Sequence, residues 1–216
     1  SLHDALPILN PLKINDKEQI LPVVEREGNQ TWIMEDTRVL SKFPLNNIHG
    51  GIKFTMDAKN IYVPTRDGWV QNYSLETGQR MNKTRACINL RNISLSRDEQ
   101  NLFATCLLPE QMVVMNPKTM EANEIINLDG KVSALYEFYT KDEAIFTFRD
   151  KAKIGKVDTK TFKITYTDIK EPIEDFFIDP FDKFIIATAR GGDVLRVYEI
   201  DTLNVVFEHE MKGMPH

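Results

Sequence analysis

Apolar positions along the chain fall in many short runs rich in Val, Ile, Phe, Tyr and Thr, broken by Asp, Asn, Gly and Lys. No stretch sustains the 3.6-residue spacing of a long helix, so the pattern predicts short strands. The runs recur. "IYVPTRD" from Ile61, "LFATCLL" from Leu102, "AIFTFRD" from Ala144 and "FIIATAR" from Phe184 stand 41, 42 and 40 residues apart. Polar turn segments at Asp36, Glu76, Asn116, Asp158 and Asp201 follow at spacings of 40, 40, 42 and 43, each with a side chain able to close a tight turn. A third landmark, "TMDAKN", "SRDEQN", "TKDEA" and "DPFDK", marks the turn between the first two strands of four units. Three landmarks sharing a period of about 40 residues predict an all-β fold, a β-propeller with four-stranded blades. In the second unit the strands are expected at 51–56, 61–65, 69–75 and about 79–85. About five units fit between Ile20 and Lys212, the first of them incomplete.

This topology sorts the polar residues by face. The loop leaving each outer strand lies on the same side as the loop between strands two and three, where propellers commonly bind ligands. The first set carries His49, Asn89 with Arg91, Lys131, Glu171 with Glu174, and His216. The second set carries Arg66, Arg149 with Lys151, and Arg190. Cations gathered at one rim suit a ligand bearing several carboxylates, because guanidinium groups grip carboxylates in a bidentate manner. The competing reading is that Arg and Asp of the "RD" turns satisfy one another or the loop backbone. His49 follows Asp36 by 13 residues and His216 follows Asp201 by 15, so both fall in one topological slot. A neutral imidazole there can ligate iron or act as acid and base. His209 falls in the alternating outer strand "VVFEHEM", and Trp69 and Tyr73 are expected to pack between blades. Glu137 and Asp142 have no positioned partner in the sequence, which leaves paired-carboxylate hydrolysis unsupported.

Composition narrows the function classes. A hydrophobic share of 42% in 216 residues supports one buried core, with a mean hydropathy of -0.34. No apolar run reaches the ~20 residues of a transmembrane helix. A net charge of -5 argues against a general nucleic-acid binder. No Gly-rich phosphate loop opens a helix, so a nucleotide site is not expected. Cys87 and Cys106 form neither a CxxC pair nor the CxxCH signature of covalent heme attachment. Two thiols and one disulfide both fit that count, and neither Cys has the surroundings of a nucleophile. The opening "SLHDALPI" can be back-translated as TCC CTA CAC GAC GCT CTT CCG ATC, which resembles a sequencing-library adapter. Residues 1–8 are therefore expected to be a translation artefact that takes His3 out of the ligand search, 9–18 a linker, and 19–216 a partial propeller.

The motifs "VVEREGNQTWIMEDT", "HGGIKFTMDAKNIYVPTRDGWVQNYSLETG", "CINLRNISLSRDEQNLFATCLLPEQMVVMNP" and "KGMPH" give the chain a resemblance to a known family. From about Ile20 to His216 it resembles the NirF-type heme d1 biosynthesis proteins of the cytochrome d1 domain superfamily. That superfamily also holds dihydro-heme d1 dehydrogenases and cytochrome cd1 nitrite reductases. The resemblance implies an eight-bladed propeller, of which this chain supplies about five blades, a periplasmic location, and a bound tetrapyrrole, heme d1 or a late precursor, without covalent c-type heme. His49 matches the family's required loop histidine, as iron ligand or site acid and base, and His216 matches the histidine of its "MPH" motif. Arg66, Arg91, Lys131, Arg149 and Arg190 would meet the macrocycle's carboxylates, and Asn89 would also line the cofactor site. Nitrite reductase and other heme d1 assembly proteins are the implied partners.

Two departures from the family limit the transfer of roles. "TCLLPEQ" lacks a family histidine, and the fourth blade, "YEFYTKDEAIFTFRDKAKIG", allows no acidic catalytic residue to be placed on Glu137 or Asp142. Modification of the macrocycle, its oxidation, and simple carriage all remain open. Two other readings stand beside these: a d1 domain fragment of a cd1 nitrite reductase or related dehydrogenase, and a propeller acting only as an interaction module.

Overall fold

The computed structural model describes residues 12–15, 18–25, 30–35, 38–44, 47–49, 51–191 and 193–211. Among them there are strands and turns but no helix. The strands form five four-stranded antiparallel sheets, each a simple meander in chain order. The first sheet is β1 (Leu12–Asn15), β2 (Glu18–Glu25), β3 (Gln30–Glu35) and β4 (Arg38–Pro44). The second is β5 (Lys53–Phe54), β6 (Asn60–Pro64), β7 (Trp69–Ser74) and β8 (Arg80–Arg85). The third is β9 (Asn89–Leu95), β10 (Leu102–Leu108), β11 (Glu110–Met115) and β12 (Ala122–Asn127). The fourth is β13 (Val132–Glu137), β14 (Glu143–Phe148), β15 (Lys153–Asp158) and β16 (Ile164–Asp168). The fifth is β17 (Ile173–Ile178), β18 (Phe184–Ala189), β19 (Val194–Glu199) and β20 (Val205–Glu210).

Repeated side-chain chemistry closes the turns. At the first hairpin of a blade, Asp57 accepts from the Thr55 hydroxyl and the Lys59 amide, and Asp98 does the same with Ser96 and Gln100. Ala58 and Glu99 there take positive φ. Between the third and fourth strands, the amides of Gly78, Met120, Phe162 and Leu203 reach back to the carbonyls of Ser74, Asn116, Asp158 and Glu199. Each of the four donors has positive φ. Asn116 and Asp158 also accept amides two and three residues on. The equivalent turn positions are thus 74, 116, 158 and 199, spaced by 42, 42 and 41 residues. Glu76 and Asp201, two residues into their turns, are not equivalent to Asn116 and Asp158, and the turn at Asp36 lies outside the described residues.

Apolar side chains from consecutive sheets meet in four clusters. Ile33 of the first sheet packs with Ile61 and Tyr73 of the second and with Ile48 of the loop between the two sheets. Tyr62 and Val70 pack on Leu90 and Ile93 of the third. Phe103 and Met112 meet Leu135 and Phe146 of the fourth, and Ile145 and Phe138 meet Phe176 and Tyr198 of the fifth. This is blade-on-blade packing, and it places β5, β9, β13 and β17 side by side as the innermost strands. Tyr73 packs between sheets as expected. Trp69 instead lies under the ammonium of Lys83, 4.6 Å from its ring centroid, within its own sheet.

Two further sequence expectations change, and the open cysteine alternative is decided. The span read as a linker, 9–18, contains β1, which pairs with β2 through Leu12 and Ile20, so the first sheet has all four strands. The strand "LKIN" is too short and lies too close to its partner to register as a separate run. The alternation of "VVFEHEM" does not become alternating burial, because every residue of β20 is exposed. Of the two cysteine readings, the structure shows the disulfide, Cys87 to Cys106.

Candidate functional site

Backbone hydrogen bonds tie the two loop sets of one face together. The Arg66 amide donates to Asn47, the Arg149 amide to Lys131, and the Arg190 amide to Pro172. An isolated bridge between Ile48 and Thr65 and a bond from the His49 amide to the Pro64 carbonyl (3.2 Å) fix the loop carrying His49. The next blade is joined on by Leu90, whose amide donates to the Arg66 carbonyl. Gly68 supplies the close approach, since its carbonyl accepts from the Ala86 amide at 2.8 Å. Its φ is +92°, and a Cβ there would stand 1.8 Å from the Cys87 carbonyl oxygen. The disulfide then secures that same loop to β10.

On this scaffold His49 and Arg91 meet. Nη1 of Arg91 lies 2.6 Å from Nε2 of His49, and Nε of Arg91 donates to the Ser133 carbonyl at 2.8 Å. Both side chains are half-buried. Burial disfavours the Arg91 cation and lowers its pKa; Arg149 and Arg66 push the same way, while Glu174 and Asp175 oppose them. The guanidinium nevertheless remains charged at neutral pH. Arg91, Arg149 and Arg66 thus share this half-buried floor with Glu174 and Asp175, and their guanidinium groups offer donors to an anionic ligand.

A second polar group lies on the innermost strands beneath the loops. Lys53 donates to both carboxylate oxygens of Glu137, at 3.0 and 2.9 Å, and the Ser94 hydroxyl donates to the same carboxylate. Burial would raise the Glu137 pKa, but Lys53 and Ser94 prevail and hold it below the ordinary value. Beside it the Tyr136 hydroxyl donates to Asp175 at 3.3 Å. Burial raises both of these groups, and for Asp175 it outweighs the Phe176 amide and Arg91. One half-buried carboxyl is therefore kept ionised while another on the next inner strand is driven toward the neutral acid.

The expected rim residues separate by partner. His49, Arg66, Arg91 and Arg149 share one electrostatic neighbourhood. Arg190 is paired with Glu174 at 2.7 Å, and Lys151 with Asp129 at 2.6 Å. Lys131 is exposed and contributes backbone contacts to Asp150 and Arg149. Asn89 opens β9 opposite Leu108 and is exposed. His216 lies outside the described residues. Glu137 is a correction, because it does have positioned partners. Lys53 is 84 residues distant, and no local spacing announces such a pair. Asp142 is likewise paired, with Lys160. Among the described residues no three His, Cys, Asp or Glu side chains are grouped to hold a metal ion, and no helix is long and apolar enough to cross a membrane.

Radially packed four-stranded meanders with a histidine and a cation cluster on one loop face define a β-propeller of the ligand-binding kind. The chain belongs to the cytochrome D1 heme domain family, whose model matches residues 15–213. It is similar to the dihydro-heme d1 dehydrogenase of Pseudomonas aeruginosa, with 25% identity over 216 residues, covering 93% of this chain and 43% of that protein. Among solved structures it is similar to dihydro-heme d1 dehydrogenase NirN in complex with DHE. There the TM-score is 0.80 and the identity 23%, covering 91% of this chain and 45% of the other, a likeness that carries the fold. The chain thus spans less than half the length of the relatives it matches.

Proposed function

We propose that this chain is the tetrapyrrole-binding part of a heme d1 biosynthesis protein serving dissimilatory nitrite reductase, and that it holds heme d1 or a late precursor against the loop face. The observation that carries this reading is the half-buried Arg91 beside His49, with Arg149 and Arg66 near enough to strain its charge. The donor set fits the group: guanidinium ions for the acidic side chains of the macrocycle, and an imidazole for its iron. Bound heme d1 would supply the iron and the conjugated ring. His49 would ligate or exchange a proton at Nε2, while Arg66, Arg91 and Arg149 would orient the carboxylates. Asn89, Lys131, Arg190 and His216 are assigned to the outer rim of the same ligand. The disulfide favours an oxidising compartment and so supports a periplasmic location.

A second reading is favoured by the similarity to the dehydrogenase: a d1 domain that oxidises the macrocycle rather than carrying it. Adding heme d1 to the protein and to its His49→Ala variant tests the shared core of both. The expected result is a wild-type complex whose Soret and long-wavelength bands shift in the variant. Unchanged bands and affinity would remove His49 from the iron. Release of a spectrally altered macrocycle on incubation with an electron acceptor would select oxidation over carriage.

A further inference from the structure

The contact between Arg91 and His49 constrains both residues. A guanidinium has donors only, so the nitrogen 2.6 Å from Nη1 must accept. Nε2 of His49 therefore presents its lone pair to Arg91, and the ring proton resides on Nδ1 in a neutral imidazole. Arg91 cannot simply drift away, since its Nε is anchored on the Ser133 carbonyl at 2.8 Å. Its outer nitrogens can change partner while that anchor holds. An ionised carboxylate is a stronger acceptor for a guanidinium than a neutral ring nitrogen.

We propose that Arg91 is a positioning residue for His49: it fixes the tautomer and masks Nε2 in the ligand-free protein, then releases Nε2 when a ligand carboxylate captures the guanidinium. The inference rests on the tetrapyrrole reading for the identity of the ligand and adds a coupling to it. Recognition of the acid side chain and availability of the nitrogen that meets the iron or the proton become a single event. A macrocycle whose carboxylates are esterified would bind without unmasking His49.

The test uses the protein labelled with 15N at histidine, observed through long-range proton–nitrogen correlations. Without ligand, the wild type is expected to show the pattern of a neutral ring protonated at Nδ1. Arg91→Met, which keeps the stem and removes every donor, should shift His49 toward the form protonated at Nε2. Arg91→Lys should retain part of the wild-type pattern. A wild-type ring protonated at Nε2, or a Met variant identical to wild type, would overturn the positioning role. Metal-free coproporphyrin is then added, with binding followed separately by its absorbance. The acid should move the Nε2 resonance and the tetramethyl ester should not. Binding of the acid without movement at His49 overturns the release step and leaves the functional reading standing, whereas no binding overturns both.

Discussion

At the residue scale, the innermost strands set two carboxyls against each other, and their pH behaviour should differ in sign. Asp175 has a raised pKa, so the folded state holds its proton more firmly than the unfolded chain does. Its contribution is most favourable at low pH and is lost as pH rises through the folded value. Asp175→Asn keeps an acceptor for Tyr136 and is expected to raise the melting temperature at pH 7, with the gain fading as pH falls toward about 4. Glu137 has a lowered pKa, and its contribution is present above the unfolded value and lost as pH falls through the folded one. Glu137→Gln leaves Lys53 buried without its counter-charge. It should therefore lower the melting temperature at pH 7 and converge on wild type in acid. Melting curves across that pH range check both, and parallel curves for either variant would contradict its assignment.

Much of the cation cluster was legible at this scale. Blade topology alone places His49, Arg66, Arg91 and Arg149 on one face, and one face is where they stand. What spacing could not reveal was which cations already have partners. Arg190 finds Glu174 across its own blade, and Lys53 finds Glu137 two blades away. The first pairing closes within one hairpin, whereas the second depends on strands of different blades brought together by the fold.

At the element scale, the repeat period was readable because each turn needs an acceptor at one position and a positive φ four residues later, as at Asn116 with Met120 and Asp158 with Phe162. β1 was not readable, since four residues contain too little alternation to separate a strand from a connector. The strand β15 carries a sharper requirement. Gly155 sits opposite Phe146, and a Cβ there would stand 2.2 Å from the ring. Gly155→Ala should destabilise by about 1–3 kcal/mol, seen as a lower urea midpoint with an unchanged slope. The disulfide has both a stability and a site consequence. Breaking this link across a separation of 19 residues with Cys87→Ser should cost about 3 kcal/mol. The variant should also loosen the loop whose Ala86 amide rests on Gly68, and so weaken ligand binding.

For the whole molecule, successive sheets bury their facing sides, but the fifth sheet leaves a row of apolar residues in solvent. Phe177, Ile186, Val197 and Phe207 stand opposite one another across β17 to β20. Phe177, Ile186 and Phe207 are 48%, 40% and 53% exposed. A patch of this kind promotes association. The isolated 216-residue chain is expected to bind a hydrophobic dye and sediment as more than a monomer, and Ile186→Lys with Phe207→Lys should reduce both effects. The blade architecture was legible from the period, and with it the expectation that the isolated chain exposes unpaired blade faces, whereas the residues lining that face needed the strand register.

The central claim is that the loop face binds a tetrapyrrole through its acidic side chains. Its most direct test is the dissociation constant for heme d1 and for its methyl ester, measured with wild type and with an Arg66→Gln, Arg149→Gln double variant at low and high salt. Wild type is expected to prefer the acid, salt to narrow the preference, and the double variant largely to lose it while its affinity for the ester is little changed. Equal affinity of wild type for acid and ester would contradict the claim.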